Sequence, residues 1–276
     1  IWLLNKGRGL LKFSPDTLTF EHFTYAPEDP QSLNSNVLSW MTLGKNGDLW
    51  ISSDRGVNRF NRISGKNQRL NFLLSEKVEH DNYIETLLLD SRNRLWVSAP
   101  ERGIVIHDLA SGSHTLFSRN DGTEHSISNQ KILQLKETAS GEIWLGTWEG
   151  AFRYSEEDGT FKRYTMPFIH KRRNTVSASI TDIEEGPLGN VWVASYDSGV
   201  GKVDVEGQEI QVFGRGTTHQ DTLNIPRVYR LLKDRFERLW IISSSEGVFY
   251  LDKGSLKFEH REIQGGIEKG LIQVAR

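Results

Sequence analysis

Apolar residues along this chain fall in short runs separated by polar turns, and the same spelling of run and turn keeps returning. The stretch from Ser140 to Phe152, SGEIWLGTWEGAF, states it once. It holds a turn at Ser140-Gly141, an apolar pair ending in Trp144, small residues at Gly146-Thr147, a second turn at Gly150 and a new extended run. Six tryptophans occupy this place, Trp2, Trp50, Trp96, Trp144, Trp192 and Trp240, at intervals of 48, 46, 48, 48 and 48 residues. A glycine follows each by six or seven positions: Gly9, Gly56, Gly103, Gly150, Gly199 and Gly247. A period this regular marks a repeat architecture.

Within one period the pattern predicts four strands. In the second repeat these are Val37 to Leu43, Leu49 to Ser53, Val57 to Phe60 and Gln68 to Phe72. Lys45-Asn46-Gly47-Asp48 separates the first two, and its Asn-Gly pair predicts a type I′ turn with positive φ at both residues. The other repeats follow suit, with third strands such as Phe152-Arg153-Tyr154 and Phe249-Tyr250-Leu251. Their fourth strands include Phe161 to Tyr164 and Leu256-Lys257-Phe258. No 3.6-residue periodicity interrupts them. Four short strands per unit, repeated end to end, predict an all-β fold, a β-propeller of four-stranded blades. Six repeats are visible, either a six-bladed ring or six of seven blades of a larger segment. Residues 1–276 are read as a single propeller domain, a fragment of a longer multidomain protein. The segment Gly270 to Val274 reads as a first strand, so it is expected to share a blade with Ile1-Trp2.

Charge and composition narrow the function. A net charge of -2 gives no basic footprint for nucleic acid. No apolar run reaches the roughly 18 residues of a membrane span, so any membrane attachment would come through segments outside this chain. There is no cysteine, which removes disulfides and thiolate chemistry. Metalloprotease, phosphate-loop, nucleophile-elbow and dinucleotide motifs are all missing. The eight histidines, His22, His80, His107, His114, His125, His170, His219 and His260, are scattered over the repeats. No metal site, cofactor or catalytic set is therefore expected.

Candidate binding residues come from the topology. Turns after the second strand share a face with the long inter-blade loops, which places Arg55, Arg102, Trp148, Tyr196 and Glu246 together with Arg172 of the loop His170-Lys171-Arg172-Arg173. Aromatics mixed with arginines and carboxylates suit a polar small molecule, a saccharide or a protein surface, and an ordinary wet rim is the alternative. First strands line the axis, where Trp40, Glu85, Asp182 and Arg230 stand at or beside the innermost positions. Either a hydrated channel or cross-blade hydrogen bonding explains polar residues there.

One family spells its repeats in this way. Asp29-Pro30-Gln31-Ser32-Leu33-Asn34-Ser35-Asn36, Ile143-Trp144-Leu145-Gly146-Thr147 and Gly159-Thr160-Phe161-Lys162-Arg163-Tyr164 resemble the loop, the Leu-Trp-Ile-Gly-Thr strand and the Gly-x-Phe-x-x-Tyr strand of the two-component regulator propeller repeat. Ser52-Ser53, Ser98-Ala99 and Ile242-Ser243 depart from its Gly-Thr. The resemblance implies a non-catalytic, ligand-sensing, periplasmic domain of a bacterial membrane-bound signalling protein, with a histidine kinase or diguanylate cyclase as output. It also implies dimerisation through the full-length protein. A propeller enzyme of lyase or lactonase type and a protein-binding scaffold are the competing expectations.

Overall fold

The computed structural model describes residues 1–5, 7–70, 83–99, 103–118, 127, 131–166, 179–206, 209–213, 227–244, 246–253 and 257–261. The fold is an all-β propeller of antiparallel blades. The chain separates into two compact units, Ile1–Asn129 and Gln130–Arg276, each with three sheets among the described residues.

In the first unit, β1 (Trp2–Asn5), β2 (Gly9–Ser14) and β3 (Thr19–Phe23) form a three-stranded sheet. Two four-stranded sheets follow: β4 (Leu38–Leu43), β5 (Leu49–Ser53), β6 (Gly56–Phe60) and β7 (Asn67–Leu70), then β8 (Thr86–Leu89), β9 (Arg94–Ala99), β10 (Gly103–Asp108) and β11 (His114–Ser118). The second unit holds three four-stranded sheets. They are β12 (Ile132–Glu137) to β15 (Thr160–Tyr164) through β13 (Ile143–Thr147) and β14 (Gly150–Ser155), β16 (Ile180–Glu185) to β19 (Glu209–Phe213) through β17 (Val191–Ser195) and β18 (Gly199–Asp204), and β20 (Val228–Lys233) to β23 (Phe258–Arg261) through β21 (Leu239–Ser243) and β22 (Gly247–Leu251). The expected strand at Gly270 to Val274 lies outside the described residues, as do Arg102 and Arg172.

Cores form between consecutive blades of a unit because each sheet is apolar on both faces. Trp144 packs with Tyr164, Ile180, Ile183 and Val193. Trp192 packs with Phe213, Val228, Leu231 and Ile241, and Trp50 with Ile84, Leu87 and Val97. The period predicts burial of Trp50, Trp96, Trp144, Trp192 and Trp240; the first four are buried, at 3%, 0%, 0% and 2% exposure, and the fifth is not. Trp2 and Trp240 are half-buried; Trp240 belongs to the last sheet of its unit and is covered by Tyr250 and Arg238.

A buried indole N–H calls for an acceptor; Trp96, Trp144 and Trp240 find one, whereas Trp50 Nε1 and Trp192 Nε1 are buried with no hydrogen-bond partner. Asp90 and Asp234 stand six residues before their tryptophans. In each, one carboxylate oxygen accepts the Trp Nε1–H at 2.8 Å and an arginine Nε–H at 2.7 Å, from Arg94 and Arg238 respectively. The other oxygen accepts backbone N–H groups of the turn. In the blades of Trp50 and Trp144 the acid stands two residues before the ring instead, Asp48 and Glu142, and its arginine nine after, Arg59 and Arg153. Glu142 also accepts from Trp144 Nε1 at 3.5 Å. Where no acid stands at the six-residue position, glycine does so twice. A Cβ on Gly186 would lie 2.3 Å from the Trp192 ring, and one on Gly44 2.8 Å from Trp50 Nε1.

The turns follow one rule. The residue three before the tryptophan is left-handed in five blades: Gly47 (φ 85), Asn93 (φ 65), Gly141 (φ 83), Gly189 (φ 74) and Glu237 (φ 64). Hydrogen bonds such as Gly47 N to Gly44 O and Gly44 N to Asp48 O close the loop. The type I′ expectation is thereby corrected. Asn46 is not in the positive-φ region, and the connection is a type I turn followed by one left-handed residue, the longer hairpin solution. All six glycines after the tryptophans have positive φ, from 85 to 128. The strand-end hydroxyl next to them caps the turn. Thr147 Oγ1 donates to Gly150 O, and Ser53 Oγ does the same to Gly56 O. Ser for Thr therefore changes the letter and keeps the hydrogen bond. The last strand runs Phe258–Arg261, a register that packs Phe258 on Trp192 and Phe213 and gives Glu259 the Tyr250 hydroxyl, and the expected start at Leu256 lies outside the described residues.

Two outcomes follow from this packing. Replacing Trp144 with Ala should cost about 3–5 kcal/mol in urea melts, the range for a large buried aromatic; a loss under about 1 kcal/mol would show that the ring is not core. Asp234 is the second. Burial would raise its carboxyl, but the hydrogen bonds from Trp240, Arg238 and the turn amides outweigh this and hold it well below the ordinary carboxylate range. Its contribution is thus complete above the unfolded value of about 4 and is lost as pH falls toward the folded one. The stability gap between wild type and Asp234→Asn should narrow on titrating from pH 5 to pH 2; a constant gap would mean the charge plays no part.

Candidate functional site

In the first unit, the segment before β4 folds over the turns of two blades. Gly9 N donates to Asn36 O at 3.1 Å, and Asn34 Nδ2 donates to Arg55 O at 3.1 Å. The Asp-Pro-x-Ser-Leu-x-x-Asn loop is the clasp that does this. Arg69 donates to the carbonyls of Ala26, Asp29, Ser32 and Leu33. Buried Asn34 accepts from Ser53 Oγ and Asn58 Nδ2 and so ties the loop to β5 and β6. Arg55 lies 5.1 Å from the Tyr25 ring centre, with Arg69 on the same ring at 5.4 Å. This candidate is therefore already engaged by the clasp. Trp40 is half-buried and packs against the Trp50–Ile84 core, so its ring serves the interface between two blades. Glu85 is half-buried beside β8, its N–H bonded to Ser98 O.

The first strands of the second unit each carry a bulge at the position eleven before the tryptophan: Leu133, Thr181 and Tyr229. A bulge adds one residue and re-aims its neighbours. Here it lets one blade hold the next. Thr181 Oγ1 donates to Val228 O at 2.9 Å, and the carboxylate of fully buried Asp182 accepts Leu231 N at 2.9 Å and its own neighbour Ile183 N at 2.9 Å. Arg230 approaches the same carboxylate at 4.0 Å from a half-exposed position. Asp182 and Arg230 are thus brought together as a cross-blade device. At the other end of these strands Lys136–Glu184 and Lys233–Glu185 pairs join neighbouring blades at 2.5 and 3.6 Å.

The turn face of this unit carries the aromatics. Trp148 is 56% exposed with Lys131 over its ring at 5.9 Å. Tyr196, at the equivalent turn one blade on, meets Tyr229 edge to face at 5.2 Å. Burial, then the facing Tyr196 and its hydrogen bond, push the Tyr229 hydroxyl above its ordinary value against the opposing pull of Arg227, so it stays protonated. The Arg227 guanidinium lies 5.7 Å over Tyr196. Asp197, on the same turn, accepts from Ser179 Oγ at 3.4 Å. Glu246 sits exposed on the last turn, its carbonyl 3.0 Å from His260 Nε2.

Tyr196, Asp182 and Arg230 thus fall in one region of the second unit. Glu246 is one turn further, and Trp148 stands one blade back. Arg227 and Tyr229 complete the region, and sequence alone did not single them out. Tyr229 was visible only as an axial residue, and Arg227 gives no repeat signal because its role comes from backbone conformation. Among the described residues, no group of three or more His, Asp or Glu side chains is placed to hold a metal ion, and no helix is long and apolar enough to cross a membrane.

No family model and no curated protein matches the chain in sequence. Solved structures do match. The extracellular domain of the hybrid two component system BT3049 from B. thetaiotaomicron superposes with a TM-score of 0.69 at 21% identity, over 90% of this chain and 31% of that one. That of BT4673 from the same organism gives 0.55 at 17% identity, over 94% and 39%. A catalytically inactive virginiamycin B lyase from Staphylococcus aureus gives 0.61 at 15% identity, over 88% and 73%. The chain therefore spans well under half the length of the two extracellular domains it resembles. At these identities the likeness carries the fold.

Asp182→Asn tests the cross-blade role. An amide offers one acceptor where the carboxylate offers two to the Leu231 and Ile183 N–H groups, so a buried donor loses its partner, and a stability loss of about 1–3 kcal/mol is expected in urea melts. An unchanged midpoint would show that the carboxylate is free for another purpose.

Proposed function

We propose that this chain is the non-catalytic, ligand-sensing propeller part of a bacterial membrane-bound signalling protein, placed on the extracytoplasmic, periplasmic side. The observation that carries this reading is the turn face of the second unit. An exposed tryptophan stands on one turn, and on the next blade's turn an edge-to-face tyrosine pair stands beside an arginine. Such a surface suits a polar ring-bearing small molecule or saccharide. The likeness to extracellular domains of hybrid two-component systems supports the assignment, as does the repeat spelling of the Asp29–Asn36 loop. One candidate acid for a lyase-type reading is occupied otherwise, since Asp182 holds the next blade's backbone.

Sensing would act by differential affinity: the ligand must prefer one arrangement of the propeller or its dimer, or it shifts no equilibrium. The output domain would be a histidine kinase or a diguanylate cyclase. The check is to replace Trp148 and Tyr196 together with Ala in the full-length protein and to record downstream output in cells. Loss of the ligand-dependent part of the output, with expression unchanged, is the expected result. Output at wild-type level would remove this face as the sensing surface.

A further inference from the structure

We propose that Arg227, with Tyr196 and Tyr229, forms an anion-selective ligand subsite that takes the carboxylate or sulfate group of an acidic ligand. This rests on the sensing reading above and adds the charge class of what is sensed.

Three observations on the second unit carry it. The first is conformational. Arg227 has φ 62, a region that a bulky side chain disfavours and glycine accepts. It is held there by hydrogen bonds to the turns of two different blades, Arg227 N to Tyr196 O at 2.9 Å and Ser244 N to Arg227 O at 3.1 Å. Keeping arginine at a position that suits glycine makes sense if the side chain is needed. The second is chemical. Arg59, Arg94, Arg153, Arg163 and Arg238 each pair with a carboxylate. Among the described residues Arg227 pairs with none; its guanidinium meets the Tyr196 ring, a contact that uses its charge and none of its N–H donors. The third is the company it keeps. The tyrosine pair offers ring surface beside the cation. An acid group can take a guanidinium's donors two at a time, whereas a neutral hydroxyl leaves most of them to water. Asp182 is held by Leu231 N and Ile183 N.

Carboxylate and sulfate ester share this chemistry, so the test uses both. The full chain is titrated calorimetrically with an oligogalacturonate, a sulfated galactan oligomer and a neutral galactan oligomer of matched length. Arg227→Gly removes the side chain while suiting the left-handed backbone, so folding is retained, and Arg227→Lys keeps the charge without the fork. We expect at least one acidic oligomer to bind about tenfold or more tighter than the neutral one, as a charged hydrogen-bonded contact implies. Arg227→Gly should abolish that preference, and Arg227→Lys should leave only part of it. The proposal is overturned if the neutral oligomer binds as well, if neither acidic oligomer binds, or if acidic affinity survives Arg227→Gly unchanged. The cellular output of the Trp148/Tyr196 variant reads sensing itself, so the charge class can fail while sensing stands.

Discussion

The indole N–H of the repeat tryptophan is the constraint on which the blades depend. The ring must be buried to fill the gap between one sheet and the next, and its one polar atom goes in with it. A buried donor left without an acceptor costs as much as a lost hydrogen bond. The carboxylates of Asp90 and Asp234 answer by reaching back over the hairpin turn, and each fixes the turn's amides and an arginine at once. Glu142 answers from the strand side. The blades of Trp50 and Trp192 leave the N–H without an acceptor and bring the turn so close to the ring that only glycine fits there. The tryptophan is constant; what surrounds its edge is negotiated blade by blade.

Much of the fold was legible because backbone geometry leaves a mark on residue type. The glycines that follow the tryptophans marked turns, and all six have positive φ. Strand spans came out within a residue or two wherever an apolar alternation bounded them, as at Leu49–Ser53. The turn type was misread, because an Asn-Gly pair looks alike in two hairpin solutions. The choice between them is made by the length of the connection and by Asp48 closing it.

The candidate site was legible only in outline. Arg227 N reaches the Tyr196 carbonyl, which joins that turn to the start of the following blade. Topology could not say that Arg55 would be drawn onto Tyr25, nor that Asp182 would serve a bulge in the following blade. Both depend on partners more than twenty residues away. The clasp made by Asn34, Ser32 and Arg69 was visible as letters in a loop, and its purpose only as contacts.

The aspartate clamp closes inside a single hairpin, from Asp90 to Trp96 and again from Asp234 to Trp240. Everything the ring's edge needs is therefore inherited together, within seven consecutive codons. A hairpin copied from one blade into another would arrive with its polar debts already settled, and the far end of its second strand, the place where other blades carry Trp148 and Tyr196, would remain free to vary. Duplication followed by drift at the tips can then diversify recognition around the ring while leaving the spaces between the sheets untouched.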